Sequence, residues 1–158
     1  IVQTNVSVSA RGTVRGIHFA DVPPGQGKYV TALSGSLIDY VVDVRVGSPT
    51  FGRWEVVTLD TTDRRAVYLS EGLGHAFCAL EDDTTAAYLC TATYNPTGEH
   101  GIHPLDPEVG LRLPDGLDPL LSDKDAAAPS LRDAAASGLL PTYAACSDWA
   151  TELAARSR

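Results

Sequence analysis

The sequence contains no methionine, and it has no apolar run approaching the roughly 18 residues of a membrane span. No signal peptide opens the chain, so we expect no contact with a membrane. The chain begins with IVQTNVSVSA, which is typical of the middle of a strand. From this start and the lack of an initiator methionine, we expect that an N-terminal segment is missing through processing, disorder or truncation.

Basic residues are also scarce, with 12 Lys and Arg against 20 Asp and Glu and a formal net charge of -8. Binding of nucleic acid needs a basic face that neutralises phosphates, so this balance excludes nucleic acid as a partner. An anionic small molecule remains compatible only if a local cluster of Arg and Lys works against the overall charge.

Cysteine is limited to Cys78, Cys90 and Cys146, an odd number without a CxxC pair. Cys78 and Cys90 lie inside apolar runs that are typical of strands. We interpret the three residues as buried, reduced thiols of a cytoplasmic protein rather than as a disulfide or a metal site.

What the chain does contain is a series of short alternating runs bounded by turn signals. Its 158 residues, 44% of them hydrophobic, suffice for one domain over 1–158 with a sizeable core. Turns such as PPGQG, SGS, GSPTFG and EDDT recur at spacings of about ten residues, which predicts a β-sandwich or small barrel without βαβ crossovers. Eight runs predict the strands: VSVSA, TVRGIHFA, KYVTAL, LIDYVVDVRV, WEVVTL, RAVYL, HAFCAL and TAAYLCTA.

The character of the sequence changes after Pro104. SLRDAAAS, followed by Gly138, predicts a short helix with a serine N-cap and a glycine stop. TYAACSDWATELAARSR, after Pro141, predicts a terminal helix. We expect both helices to pack on the outside of the β structure.

The histidines are the first candidates for chemistry. His18 in RGIHFA lies between two apolar residues, where a histidine is more often a core residue than a catalytic one. GEHGIHP is typical of a loop, which predicts surface positions for His100 and His103. A metal centre needs two or three converging donors, and no HxH precedes a Glu at strand spacing, so the pattern disfavours a metal.

His75 becomes informative if the EDDT turn closes a hairpin that pairs Leu80 with Thr85. Because side chains alternate with a period of two, one face of that hairpin would carry both His75 and Tyr88. A histidine beside a tyrosine is suited to proton transfer. The pattern is equally compatible with an ordinary core tyrosine whose hydroxyl is hydrogen-bonded. The residues predicted on this face are His75, Phe77, Tyr88 and Cys90.

Arg15 and His18 have opposite parity in a regular strand. Both reach one pocket only if the strand bulges, for which Gly16 is the candidate. Lys28 begins a strand after a glycine-rich turn, a position at which a lone lysine is usually a solvated edge charge.

Five motifs occur in the order in which they occur in dTDP-4-dehydrorhamnose 3,5-epimerases: RGIHFADVPPGQGKYV, DVRVGSPTFGRW, YLSEGLGHAF, YLCTATYNP and LSDKDAAAP. The chain resembles that family from about Val2 to Pro141. The resemblance implies a mostly β, cupin-like double-stranded jelly roll with short C-terminal helices, usually a homodimer, without metal or cofactor. It also implies an isomerase acting on a dTDP-4-keto-6-deoxyhexose in deoxysugar biosynthesis, whose C4 ketone acidifies the hydrogens on C3 and C5.

The resemblance assigns four catalytic roles. His18 matches the general base, and Asp125 matches the carboxylate that fixes its tautomer and stabilises the imidazolium. Lys28 matches the cation that stabilises the enolate at the C4 oxygen. Tyr88 matches the phenol that donates a proton to the opposite face.

Seven further positions match substrate contacts of the family. Arg15 corresponds to a ligand of the diphosphate, and Tyr94 corresponds to an aromatic ring that stacks on the substrate. The full set is Gln3, Asn5, Arg15, His75, Tyr94, Glu99 and Lys124.

The chain departs from the family pattern in two places. Family members carry a longer segment ahead of Gln3, with an Arg and a Glu that touch the nucleotide, so we expect its loss to weaken nucleotide binding and the dimer. Thr93 stands where many have a second tyrosine, which costs little because Tyr94 remains.

Three alternatives to a 3,5-epimerase stay open. They are a mono-epimerase for an antibiotic deoxysugar, which shares the same catalytic residues, a metal-dependent cupin, and a non-catalytic jelly roll that binds a sugar nucleotide.

Overall fold

A computed structural model describes residues 1–156, and this part of the chain is mostly β. Its strands are β1 (Gln3–Ser9), β2 (Val14–Ala20), β3 (Lys28–Ser34), β4 (Ser36–Val42), β5 (Trp54–Asp60), β6 (Ala66–Leu69), β7 (Gly74–Ala79), β8 (Thr84–Cys90) and β9 (Glu99–Gly101). Its helices are α1 (Asp123–Ala126), α2 (Leu131–Ala136) and α3 (Tyr143–Arg156). All eight predicted strands are confirmed. The sequence did not predict β9 and α1, which span 3 and 4 residues and are too short for a periodic pattern.

The strands form two antiparallel sheets packed face to face, in the order β1-β8-β3-β6 and β5-β4-β7-β2-β9. Neighbours within each sheet are mostly distant in sequence, as when β1 pairs with β8. This arrangement confirms the predicted jelly roll.

The turn at 81–84 does not close a hairpin, so the predicted pairing of Leu80 with Thr85 is wrong. β7 pairs with β2 and β4, whereas β8 pairs with β1 and β3 in the other sheet. The chain crosses between the sheets at this turn. The two strands nevertheless face one another across the sandwich, and Phe77 and Tyr88 pack in the same core. The predicted common face is therefore the interior between the sheets.

The inner core lies between the two sheets. Val30 and Ala86 come from the four-stranded sheet, and Leu37, Leu59 and Phe77 come from the five-stranded one. All five are buried, with at most 3% exposure. Burying one of the Val, Leu or Phe side chains contributes about 1.5–3 kcal/mol, so this layer holds together the two sheets between which a site can form.

The C-terminal helices pack on the outside of the β structure, as predicted: α2 covers the outer face of the five-stranded sheet, and α3 packs beside Gly72 and Arg45. α2 follows the N-cap Ser130, whose side chain accepts a hydrogen bond from the Asp133 amide, and Gly138 beyond it has a φ of 72°. Leu131 and Ala134 pack into a second core on that face. Among residues 1–156, no helix has the length and apolar character needed to cross a membrane.

β2 bulges at the position that the sequence predicted. Arg15 pairs with Phe77 and His18 pairs with His75, so one extra residue lies on β2 between these two pairs. Gly16 has a φ of 125°, and a Cβ there would lie 2.5 Å from the His75 carbonyl oxygen. Cross-strand partners share a face, so the bulge turns both Arg15 and His18 toward the interior between the sheets.

Candidate active site

A cavity of about 250 Å³ opens between the sheets at the β2–β9 edge. Eight of its ten lining residues were predicted as site residues, and Gln26 and His100 were not. Three predicted residues, Arg15, His75 and Asp125, lie outside the lining. The lining residues are Gln3, Asn5, His18, Gln26, Lys28, Tyr88, Tyr94, Glu99, His100 and Lys124.

A second cavity of about 250 Å³ lies beside the opposite edge of the five-stranded sheet, where the DVRVGSPTFGRW segment folds back. Asp43 is its most buried charge and accepts hydrogen bonds from Arg45, Ser48 and Thr50. Burial would raise the pKa of Asp43, but these donors together hold it well below its usual range. Because the carboxylate is satisfied by its own loop, we interpret this motif as structural.

His18 lies 2.6 Å from Asp125, measured between Nε2 and Oδ1. The His18 side chain is 33% exposed in the cavity, whereas that of Asp125 is 5% exposed. Ser122 caps α1 by accepting a hydrogen bond from the Asp125 amide, which fixes the residue at the start of a helical turn. Asp125 therefore holds Nε2 of the imidazole and leaves Nδ1 as the ring nitrogen open to a ligand.

Asp125 is ionised in this pair. Burial raises its pKa, but the hydrogen bond and the charge of His18 outweigh burial, so the pKa lies below the usual value. A carboxylate that stays charged beside a histidine stabilises the imidazolium formed when the ring takes up a proton.

Lys28 extends from β3 on the opposite wall, where no ion pair among residues 1–156 holds its ammonium group. Burial lowers the pKa of Lys28, while Cys90, Glu99 and Asp39 raise it. The predicted solvated edge charge is therefore wrong. The ammonium is poorly hydrated, and it faces the cavity without a protein partner.

Tyr88 comes from β8, in the sheet that faces His18. Burial raises its pKa, and the nearby Arg15 guanidinium partly offsets this rise. The phenol therefore keeps its proton at neutral pH and is available as a donor.

Two predicted residues stand directly behind the cavity. Arg15 donates from Nε to Ser9 Oγ at 3.3 Å. His75 Nε2 lies 2.7 Å from Asp39 Oδ2, and this second His–Asp pair is sealed in the interior. Sequence reasoning missed Asp39, although the signal was present. A carboxylate at a core-facing position of an apolar strand requires a buried partner.

Predicted binding residues are connected to one another at the cavity rim. Gln3 donates from Nε2 to Asn5 Oδ1 at 2.9 Å and accepts from the Tyr94 amide at 2.8 Å. Glu99 accepts from Gln26 at 3.2 Å. These bonds tie β1 to the loop that carries Tyr94, and they tie β9 to the glycine-rich turn.

His100 was predicted as a surface residue, and this prediction is wrong. It lies on β9, its side chain is 19% exposed, and it lines the cavity. The sequence did not indicate that His100 lies on a strand, because the three residues of β9 are too few to show a periodic pattern. Among residues 1–156, no group of three or more His, Cys, Asp and Glu side chains has an arrangement that could hold a metal ion.

Residues 1–133 match the family model of dTDP-4-dehydrorhamnose 3,5-epimerase. The chain is 60% identical over 146 residues to a dTDP-4-dehydrorhamnose 3-epimerase of Streptomyces niveus, an alignment that covers 92% of this chain and 70% of the relative. It is 58% identical over 144 residues to a dTDP-4-dehydrorhamnose 3,5-epimerase of Mycolicibacterium smegmatis, covering 91% and 71% of the two chains.

Solved structures give the same relationship. The rmlC epimerase of Mycobacterium tuberculosis superimposes with a TM-score of 0.94 at 55% identity, covering 96% of this chain and 77% of that one. ChmJ, a 3'-monoepimerase of Streptomyces bikiniensis in complex with dTDP-quinovose, gives a TM-score of 0.90 at 54% identity, covering 92% and 74%.

The fold and the relatives together define an isomerase built on a jelly roll, with His18 on one wall of its cavity and Tyr88 on the other. The chain belongs to the dTDP-4-dehydrorhamnose 3,5-epimerase family.

Proposed function

We propose that the protein inverts C3 of a dTDP-4-keto-6-deoxyhexose in deoxysugar biosynthesis, and that C5 is the second centre if it acts as a 3,5-epimerase. One observation carries the proposal: His18 pairs with Asp125 at 2.6 Å on one wall of a cavity that Tyr88 lines from the other sheet. The relatives support C3 because 3-epimerases and 3,5-epimerases both invert that carbon.

His18 acts as the base. Asp125 accepts the Nε2 proton, so the lone pair of Nδ1 takes the hydrogen from C3 as a proton. The electrons of the C–H bond delocalise onto the C4 oxygen and form an enolate. The new imidazolium lies against the ionised Asp125, which stabilises its charge.

Lys28 stabilises the enolate. Its ammonium is desolvated, so a negative oxygen in the cavity becomes its strongest partner, and that charge develops only as the C–H bond breaks. Because the interaction between Lys28 and this oxygen strengthens toward the transition state, it raises the rate of proton abstraction and not only the affinity for the ketone.

Tyr88 supplies the proton on the other face. Its phenol transfers a proton to C3 from the side opposite His18, which inverts the centre and leaves a phenolate near Arg15. Exchange with solvent then restores a neutral His18 and a protonated Tyr88. Proton loss and proton gain balance, and no redox partner is required.

Deuterium uptake tests the proposal. In heavy water with the dTDP-4-keto-6-deoxyglucose substrate, we expect NMR to show uptake at C3, with uptake at C5 separating a 3,5-epimerase from a mono-epimerase. A His103→Asn variant, altered outside the cavity, should behave as wild type. Uptake at neither carbon would reject the reaction, and retained nucleotide binding would then favour a non-catalytic binder.

We also propose a homodimer that forms through the outer face of the four-stranded sheet. Its outward positions carry no charged residue, in a chain that is 20% charged overall, and Val6, Val8, Leu33 and Tyr68 are 56–59% exposed there. Two acidic copies repel each other least through such a face, which supports a second copy of this chain as its occupant. The outward positions are Thr4, Val6, Val8, Tyr29, Thr31, Leu33, Ala66, Tyr68, Thr85, Ala87 and Leu89.

A cytoplasmic location completes the proposal. Cys78, Cys90 and Cys146 are free and buried, as the sequence predicted. Free thiols are typical of proteins kept in a reducing compartment, which supports this location.

A further inference from the structure

His100 forms a third His–Asp pair, and the reaction described above gives it no role. Its Nε2 lies 2.8 Å from Asp21 Oδ1, and its ring centroid lies 5.6 Å from that of Phe19. Packing on one side and a carboxylate on another fix the orientation of the ring. His100 lines both the active-site cavity and a neighbouring cavity that reaches Asp125.

Lys124 lines the same two cavities. It precedes Asp125 in sequence, while His100 precedes Gly101, the cross-strand partner of His18. A permanent cation and a titratable one therefore flank the His18–Asp125 pair. Lys28 stands on the other sheet, and Arg15 lies outside the lining, so neither provides charge at this side of the cavity.

The tautomer of His100 makes its ligand preference depend on protonation. Because Asp21 accepts the Nε2 proton, a neutral ring offers only the lone pair of Nδ1, which repels a phosphate oxygen. A protonated ring offers an Nδ1–H donor together with a positive charge. Charge-assisted hydrogen bonds of this kind are the strong ones in phosphate recognition.

We propose that His100, in its protonated form, binds the diphosphate of the nucleotide sugar together with Lys124, and that Asp21 positions the ring for this contact. The inference rests on the proposed function, because it takes a nucleoside diphosphate sugar as the ligand. The diphosphate is attached at C1 of the sugar, which is separated from C3 by C2 alone and from C5 by the ring oxygen alone, so cations beside the base are suitably placed. In a chain of net charge -8, the site needs such local charge to hold a dianion.

Several other groups face His100 and shape the pH response. Asp21, directly after β2, and Glu99, on the strand of His100, are the neighbouring anions. Lys124 on α1 is the neighbouring cation, and Asp125 on the same helix is engaged by His18. Because His18 is a second histidine of the same cavity, the experiment must remove it.

The test measures the affinity for dTDP-glucose by calorimetry between about pH 5.5 and about pH 8.5, a range that brackets the ordinary histidine pKa of about 6.5. This ligand has no ketone, and its diphosphate is esterified at both ends, so it neither reacts nor titrates in that range. Wild-type enzyme is measured first, and all comparisons of variants then use a His18→Asn background in which His100 is unchanged or replaced by His100→Asn, with His103→Asn as the control.

With His100 present we expect the affinity to fall roughly tenfold as the pH rises, because a histidine whose pKa the ligand raises by one unit loses that factor on deprotonation. His100→Asn should bind weakly with little pH dependence, and His103→Asn should retain the full dependence. An Asp21→Asn variant should weaken binding chiefly at low pH.

Three results would overturn the inference. An unchanged pH dependence of the affinity in His100→Asn would assign that dependence to another group. An affinity that does not change with pH in the His18→Asn parent would show that no protonated histidine contributes to binding. If the affinity rises with pH and His100→Asn abolishes that rise, His100 contacts a hydroxyl group of the sugar, which donates to the neutral ring, rather than the diphosphate. If the wild-type enzyme binds no dTDP-glucose at any pH, the proposed function fails rather than this inference alone.

Discussion

Two His–Asp pairs lie side by side in the five-stranded sheet, because His18 and His75 are cross-strand partners. Their hydrogen bonds are almost equal in length, at 2.6 Å for His18–Asp125 and 2.7 Å for His75–Asp39. The side chains of the first pair are 33% and 5% exposed, and those of the second are 8% and 0% exposed. The same kind of hydrogen bond therefore occurs in one pair that a ligand can reach and in one pair that is closed to ligands.

The difference lies in where each carboxylate comes from. Asp39 sits in the middle of β4 and is sealed when the two sheets pack, and its Oδ1 is buried without a hydrogen-bond partner. Asp125 arrives on a short helix outside the sandwich and leaves one face of His18 uncovered. We infer that access to the cavity, rather than pairing itself, separates a base from a structural histidine.

The largest expected effect comes from His18→Asn. Removing a positioned base should lower deuterium uptake by about 100- to 10,000-fold, the usual contribution of general base catalysis. His18 itself is partly exposed, but the buried Asp125 loses its partner, so the melting temperature should fall while the protein stays folded. The measurement is NMR of deuterium incorporation beside thermal unfolding of the same samples. Wild-type uptake in this variant would remove His18 from the mechanism.

For stability we expect the closed His75–Asp39 pair to matter more than the open His18–Asp125 pair, and truncating each carboxylate compares the two. Asp39→Ala leaves His75 buried without its partner, and we expect it to lower the free energy of unfolding by about 3–5 kcal/mol. Asp125→Ala should cost less, about 1–3 kcal/mol, because His18 can turn toward solvent. Urea unfolding of both variants gives the comparison. Equal losses would contradict the distinction between an open and a closed pair.

The smallest effect concerns acid stability. Asp125 has a pKa below 3.8 in the folded protein, so its ionised form stabilises the fold above that value. The contribution is lost as the pH falls through the lowered folded pKa. The stability difference between wild type and Asp125→Asn should therefore be constant above about pH 5 and shrink in stronger acid. Asp123→Asn, at an exposed position of the same helix, provides the control in urea unfolding across that range.

The sequence was most informative where alternation or a motif constrained it. Strand parity required a bulge for Arg15 and His18 to share a pocket, and the bulge lies at the predicted Gly16. The family motifs predicted that His18, Lys28 and Tyr88 share one site, and the three residues line one cavity. Their flanking residues alone favoured a core histidine and a solvated lysine.

The remaining errors have physical causes. A turn between two strands does not reveal whether the strands pair or cross to different sheets, so the β7–β8 hairpin was predicted wrongly. Burial at Asp39 depends on the packing of the second sheet, which the local pattern does not encode. His100 was missed because an edge strand of three residues is defined by its partner, β2, rather than by its own sequence.

The His18–Asp125 bond joins residues 107 positions apart. The nine strands found among residues 1–156 all precede Asp125, so a chain ending before it would contain the residues of both sheets and lack the carboxylate. During synthesis His18 emerges 107 residues before Asp125. Folds dominated by such distant contacts close slowly, in about milliseconds to seconds. Under the proposed mechanism, the growing chain therefore acquires catalytic competence only after both sheets are complete, and activity reports on folding more strictly than the presence of the sheets does.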